Sequence, residues 1–150
     1  MANLYDVYYR VHAQNVGWLG WAKNGASAGT AGFAYRLEGI EIKLIPKGGA
    51  APGSTTNCFV GKQGMFFEYG QWRYYENGNY LTNYTGMASN QYGWWYFRNG
   101  NIDWGYTGLG ENWLGFWVYE NGRLNFNYNG IYWNMYGGWV VKNGHIERHI

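Results

Sequence analysis

Gly93-Trp94-Trp95-Tyr96-Phe97-Arg98-Asn99-Gly100-Asn101-Ile102-Asp103-Trp104-Gly105-Tyr106-Thr107-Gly108 decides the fold. Two short aromatic runs flank Asn99-Gly100. Asn-Gly between such runs signals a two-residue type I′ hairpin, because both turn positions need positive φ. The dipeptide recurs at 77–78, 99–100, 121–122 and 143–144, a constant spacing of 22 residues. In register with it stand Gly64, Gly86, Gly108 and Gly130; Tyr84, Tyr106 and Tyr128; Asn90, Asn112 and Asn134; and Gly93, Gly115 and Gly137. A period of this length marks a repeat array.

A two-residue turn fixes the pairing on either side of it. Arg98 should face Asn101, Phe97 Ile102, Tyr96 Asp103, and Trp95 Trp104; one repeat on, Glu120 faces Arg123, Tyr119 Leu124, Val118 Asn125, and Trp117 Phe126. One face then carries Trp95, Phe97, Ile102, Trp104 and Tyr106. Trp95, Trp117 and Trp139 are therefore expected to face the core. Trp72, Trp94, Trp113 and Trp133 fall on the opposite parity or in connections and are expected at the surface. Cross-strand aromatic pairs contribute only about 0.2–1 kcal/mol each, so the hairpins must stack to be stable.

Upstream, Tyr5, Val7, Tyr9, Val11 and Ala13 alternate with Asp6, Tyr8, Arg10, His12 and Gln14, the pattern of a half-buried strand. Phe33, Tyr35 and Leu37 have the opposite parity to Ile40, Ile42 and Leu44, which predicts a β-bulge at Glu38-Gly39 that restores one apolar face. Residues 46–57, Pro46 to Asn57, have the composition of a linker. The expected architecture is all-β: a small β module over 1–45, a linker over 46–57, and tandem β-hairpin repeats over 58–150 in a β-solenoid-like array.

His12, Gln14-Asn15, Gly17-Trp18, Trp21, Asn24-Gly25, Ala28-Gly29-Thr30, Gly32 and Arg36-Leu37-Glu38 with Ile40, Ile42 and Leu44 resemble the clostridial hydrophobic repeat with a tryptophan, the ChW repeat, over about residues 8–45. Ala13 stands where that pattern has a branched residue, and Phe33-Ala34-Tyr35 replaces a polar lead-in. The unit Gly-Trp-x-x-x-x-Asn-Gly-x-[Ile/Leu]-x-x-x-Tyr-x-Gly over 58–150 resembles the hairpin repeats of choline- and glucan-binding cell-wall modules, in which ligands sit between successive hairpins. Ile102-Asp103-Trp104 departs from the Trp-Tyr-Tyr run of the choline type. These resemblances imply a secreted or surface-attached protein of a Gram-positive anaerobe. Its expected partner is cell-wall or extracellular polysaccharide, with adhesion to other surface proteins as the alternative.

Charged residues are 13% of the chain and the net charge is +2, too little for a polyanion-binding protein, so no nucleic-acid partner is expected. No apolar run approaches the ~18 residues of a membrane span, and Met1-Ala2-Asn3-Leu4 begins no signal peptide. Cys58 is alone, so no internal disulfide is possible. No Gly-x-Ser-x-Gly, phosphate-loop lysine or Cys-x-x-Cys motif occurs, so neither catalysis nor a cofactor is expected. His145, Glu147 and His149 would share a strand face, but the Asn143-Gly144 turn and the place of Glu147 do not fit a zincin helix, so they read as a polar terminal strand.

The aromatics carry the functional expectation, because Trp and Tyr offer flat faces to sugar C–H surfaces or to quaternary ammonium groups. The candidate ligand contacts are Trp72, Trp94, Tyr96, Asp103, Trp113, Phe116 and Trp133 in the array, and Trp18 and Trp21 in the first module. Asp103 enters as an acceptor for a sugar hydroxyl.

Overall fold

The computed structural model describes residues 4–150, in which every regular element is a β-strand. The Met1-Ala2-Asn3 start, and the reading of it, lies outside that span. The chain divides into two compact units: residues up to Gln63 with the hairpin tip Glu76–Asn79, and Gly64–Tyr75 with Tyr80–Ile150.

In the first unit, β1 (Tyr5–Ala13) is central, with β2 (Gly17–Trp18) and β3 (Ala22–Lys23) on one side and β5 (Leu37–Pro46) on the other; β4 (Gly29–Ala31) pairs in parallel with β6 (Phe59–Gly61). The β1–β5 ladder runs from Tyr5 opposite Pro46 to His12 opposite Gly39, and Ala13 then faces Leu37. Glu38 is the extra residue, so the expected bulge is present and aligns Leu37 with Ile40.

The two ends of β1 are covered on opposite faces. Asp6 and Tyr8 are buried toward its N-terminal end, and Val11 and Ala13, on the other face, toward its C-terminal end, whereas Tyr5, Val7, Ile40, Ile42 and Leu44 are exposed. The side of Asp6 and Tyr8 is closed by Trp21, 3% exposed, whose ring lies 4.9 Å from the Arg10 guanidinium and 5.3 Å from the Lys43 ammonium. A buried carboxylate is tolerated there because both its oxygens are engaged. Asp6 pairs with Lys23 Nζ at 2.8 Å and accepts from Asn24 Nδ2 at 2.8 Å and from the Gly48 N–H at 3.1 Å. The 46–57 stretch packs within this unit and does not separate units: the Trp21 N–H donates to Ser54 O (2.8 Å) and the Gly20 N–H to Asn57 O (3.3 Å).

Hydrogen bonds from Lys23, Asn24 and the Gly48 amide hold the Asp6 carboxyl far below its ordinary value of 3.8. The unfolded chain therefore binds the additional proton first on acidification, and the stabilisation is complete above that ordinary value and fades as the pH drops below it. Acid titration of the full chain, followed by circular dichroism, should show the native form losing stability below about pH 4. In Asp6→Asn this component of the acid dependence should be absent; an unchanged acid limb would refute it.

The second unit contains β7 (Gly64–Glu68), β8 (Gln71–Glu76), β9 (Asn79–Tyr80), β10 (Gly86–Asn90), β11 (Gly93–Arg98), β12 (Asn101–Ile102), β13 (Gly108–Asn112), β14 (Gly115–Glu120), β15 (Arg123–Leu124), β16 (Gly130–Asn134), β17 (Gly137–Lys142) and β18 (His145–His149), the tip of the β8–β9 hairpin excepted. Each repeat is a three-stranded meander: β10 pairs with β11 from Gly86 opposite Phe97 to Asn90 opposite Gly93, and β11 pairs with β12 at Phe97–Ile102 and Arg98–Asn101. The last strand is short. After the Asp103 N–H donates to Tyr96 O (2.9 Å) the chain leaves the ladder. Trp95 thus pairs with Arg123 of the next repeat, and not with Trp104 as the turn register predicts; Trp117 pairs with His145 in the same way, and Arg73 with Asn101. The Trp95 and Trp104 rings still meet edge-on at 5.4 Å.

This hand-off joins the repeats into one open 12-stranded sheet. The Asn-Gly turns make the joint. Both turn residues have positive φ: 52° and 77° at Asn99-Gly100, 51° and 74° at Asn121-Gly122, and 50° and 79° at Asn143-Gly144. Each turn then docks on the preceding repeat. The Gly122 N–H donates to Tyr106 O (2.8 Å), and Gly122 O accepts from the Tyr96 N–H (2.8 Å); Gly100 and Gly144 repeat both bonds with Tyr84 and Tyr74, and with Tyr128 and Val118. Inside the meanders Phe97, Ile102 and Ala88 form a buried cluster, packed by Met65, Trp72, Tyr74, Tyr84 and Trp95. Tyr84 stacks on Tyr74 at 3.7 Å and Tyr106 on Tyr96 at 3.6 Å.

Candidate functional site

The surface of the array is organised by one recurring asparagine. Asn90 Oδ1 accepts from the Tyr92 N–H (2.9 Å) and from the Trp95 indole N–H (3.2 Å). Asn112 does the same for Leu114 and Trp117 (2.8 and 3.0 Å), and Asn134 for Tyr136 and Trp139 (2.9 and 3.1 Å). The carboxamide closes the turn and pins the tryptophan, so the indole N–H of Trp95, Trp117 and Trp139 is consumed by the fold. The turns stand outward, leaving Tyr92, Trp113, Leu114, Met135 and Tyr136 exposed, as is Trp133 in β16.

Two depressions lie between repeats of this unit. A groove of about 650 Å³ is lined by Tyr106, Leu109, Phe116, Tyr132, Tyr136 and Trp139. The Tyr106 hydroxyl donates to Leu109 O (2.6 Å), and burial pushes its pKa upward, with Tyr96 and Tyr132 adding to the effect. The same position in the preceding repeat, Tyr84, is pushed up to about 12 by burial. Such phenols stay neutral across ordinary pH, and the groove that Tyr106 lines is aromatic and uncharged. The second depression, about 310 Å³, is more polar and is lined by Trp94, Glu120, Arg123, Asn125 and Phe126. Arg123 is fixed there by donation from Nη2 to Tyr92 O (2.9 Å) and lies 5.3 Å over Trp95; Asn125 Nδ2 donates to Glu120 (2.8 Å).

The first unit holds a separate depression of about 550 Å³ lined by Trp18, Trp21, Arg10, Lys43, Ser54 and Thr56. The Arg10 guanidinium lies 4.8 Å from the Trp18 ring and bonds Glu41 at 2.8 Å.

The expected contact residues divide by environment. Trp113 is 79% exposed and touches Trp94 at 5.2 Å; Trp133 and Phe116 are exposed as well, and Phe116 lines the aromatic groove. Trp94 lines the polar depression and is half-buried. Trp95 is half-buried too, so the two neighbours differ in partners more than in exposure. Trp72 is half-buried against the core cluster and Phe67. Tyr96 is enclosed by Tyr106 and Tyr119, and Asp103 is occupied by Arg98 Nε (3.2 Å) and the Gly105 N–H (3.1 Å). Trp18 is exposed and Trp21 buried in the first unit's depression. Sequence reasoning passed over Leu109, Tyr132, Tyr136, Trp139, Arg10 and Arg123. The 22-residue register was the available signal for Tyr136, which repeats the turn position of Tyr92.

His145 contacts Glu147 at 3.1 Å and Leu114 O at 3.0 Å, His149 contacts Tyr136 O at 2.9 Å, and their rings lie edge-on to Trp117 and Trp139 at 4.7 and 4.5 Å. Among the described residues no three His, Cys, Asp or Glu side chains are grouped to hold a metal ion.

Residues 12–46 match the family model described as Clostridial hydrophobic W, within the first unit, where the residue pattern resembles the ChW repeat. No curated protein and no solved structure matches the chain.

Proposed function

From a ChW segment at 12–46 joined to a hairpin-repeat array, we propose a non-catalytic, surface-associated module that binds cell-wall or extracellular polysaccharide. The carrying observation is the aromatic groove between successive repeats, a recess of about 650 Å³ lined by Phe116, Tyr132, Tyr136 and Trp139. Flat apolar faces bordered by backbone carbonyls and carboxamides suit pyranose rings, which are apolar on their faces and polar at their edges. Trp113 and Trp133 add further exposed aromatic surface to the array. ChW resemblance supports a location outside the cell.

Retention of the chain on purified Gram-positive walls, competed with soluble polysaccharide, tests the reading. Phe116→Ala should weaken retention about three- to tenfold, the scale of one aromatic contact, without moving the unfolding midpoint by more than a small amount. Capture of a protein partner together with indifference to every glycan would favour adhesion instead and overturn the proposal.

A further inference from the structure

Strand β5 has a partner on one edge only, among the described residues. Its orientation is fixed by the flanking bonds: the Lys47 N–H donates to Leu4 O (3.0 Å), in register with Tyr5 opposite Pro46. Along an antiparallel ladder such bonded pairs recur at every second residue. Ile45, Lys43 and Glu41 therefore direct their backbone groups toward β1, and Ile40, Ile42 and Leu44 direct theirs outward. The Val7 and Val11 carbonyls, bonded on the opposite edge of β1 to the Asn24 and Leu19 N–H groups, agree with this phase. The side chains of the same three residues are exposed, Ile42 at 61%. The open window ends at the Glu38 bulge and at Pro46, which has no N–H to give.

We propose that this edge pairs antiparallel with β5 of a second copy of the chain, about a two-fold axis at Ile42. The charge pattern selects the copy and the register. With Ile42 opposite Ile42 of the copy, Ile40 faces Leu44, so the outward backbone groups of both strands meet. Glu41 then faces Lys43 twice, an opposite-charge pair on each side of the axis. Sliding the register by one step, while keeping the bonding phase, sets Glu41 opposite Glu41 or Lys43 opposite Lys43. Like charges directly opposite are destabilising, so the neighbouring registers are disfavoured. The aliphatic side chains form a ladder across the new seam, and the joined sheet carries two copies of the repeat array, which raises avidity for any repeated ligand.

Sedimentation equilibrium of the full chain and of two charge variants tests this. The native chain should dimerise reversibly. Lys43→Glu places glutamates opposite one another and should raise the dimer dissociation constant about tenfold or more, and Glu41→Lys should do the same with lysines. Mixing the two variants restores both opposite-charge pairs and should give a heterodimer. Circular dichroism of each variant establishes that it is folded. If either variant is unfolded, amide exchange on the native dimer decides, with dilution to monomer expected to expose the Ile40, Ile42 and Leu44 amides. A native chain that is monomeric at millimolar concentration, a dimer unaffected by Lys43→Glu, a mixture of folded variants that stays monomeric, or exchange at those amides that ignores dilution would each overturn the proposal.

Discussion

Gly122→Ala should unfold the repeat array under conditions in which Gly70→Ala leaves it folded. Both glycines sit in two-residue turns at nearly the same positive φ, 74° and 78°. An L-residue there costs about 1–2 kcal/mol, and both variants carry that cost. The difference lies in what surrounds them. A Cβ at Gly70 meets nothing within 4 Å, whereas one at Gly122 runs into the Asp103 carbonyl, with Trp104 Cα at 3.2 Å. Those are backbone atoms of the preceding repeat and cannot rotate away. Relief requires withdrawing the turn, which breaks the bonds from Gly122 to Tyr106 and from Tyr96 to Gly122. Overpacking of this kind adds about 1–3 kcal/mol, for a total of roughly 2–5 kcal/mol. Urea midpoints of the two variants measure it, and equal midpoints would show that the turn φ alone matters and that docking contributes nothing.

Phe97→Ala should cost about 3–5 kcal/mol, the second large effect. The ring is completely buried, faces Ile102 across the ladder, and meets Tyr74 and Tyr84 edge-on at 5.8 Å each. Its removal empties the centre of a meander whose other walls are held by stacked tyrosines and cannot close the void. Trp104→Ala, on the same expected face, should cost about 1 kcal/mol or less, because Trp104 is 56% exposed and rests on one ring edge. Comparable losses in the two variants, read from urea midpoints, would remove the distinction between the meander centre and its rim.

That distinction was invisible in the hairpin register. Counting outward from Asn99-Gly100 places Phe97, Ile102 and Trp104 on one face, and the ladder at Phe97–Ile102 follows it. Two residues later the count ceases to apply, because the Asp103 side chain caps the next turn through the Gly105 N–H and the strand ends. Trp95 is then free to take Arg123 from the following repeat. Local turn chemistry sets pairing near the turn, and long-range competition decides it beyond. Of the candidate contacts, Trp113, Trp133 and Phe116 were legible as surface aromatics, while the enclosure of Tyr96 by Tyr106 and Tyr119 depends on how repeats stack.

The sequence by itself determined the 22-residue period, the four Asn-Gly turns that carry it, the bulge at Glu38, and the ChW pattern near the N-terminus. Each follows from spacing or from a backbone conformation that few residues adopt. The tertiary structure alone decided which side of β1 is covered at each of its ends, Asp6 and Tyr8 at one and Val11 and Ala13 at the other. Alternation assigns Tyr5, Val7 and Tyr9 to one face and Asp6, Tyr8 and Arg10 to the other, but it does not say which face meets Trp21. Three partners make Asp6 tolerable inside, and the 46–57 stretch closes over that side, so the aliphatic face of β5 is left outward. Parity is a property of the strand, and burial a property of what packs on it.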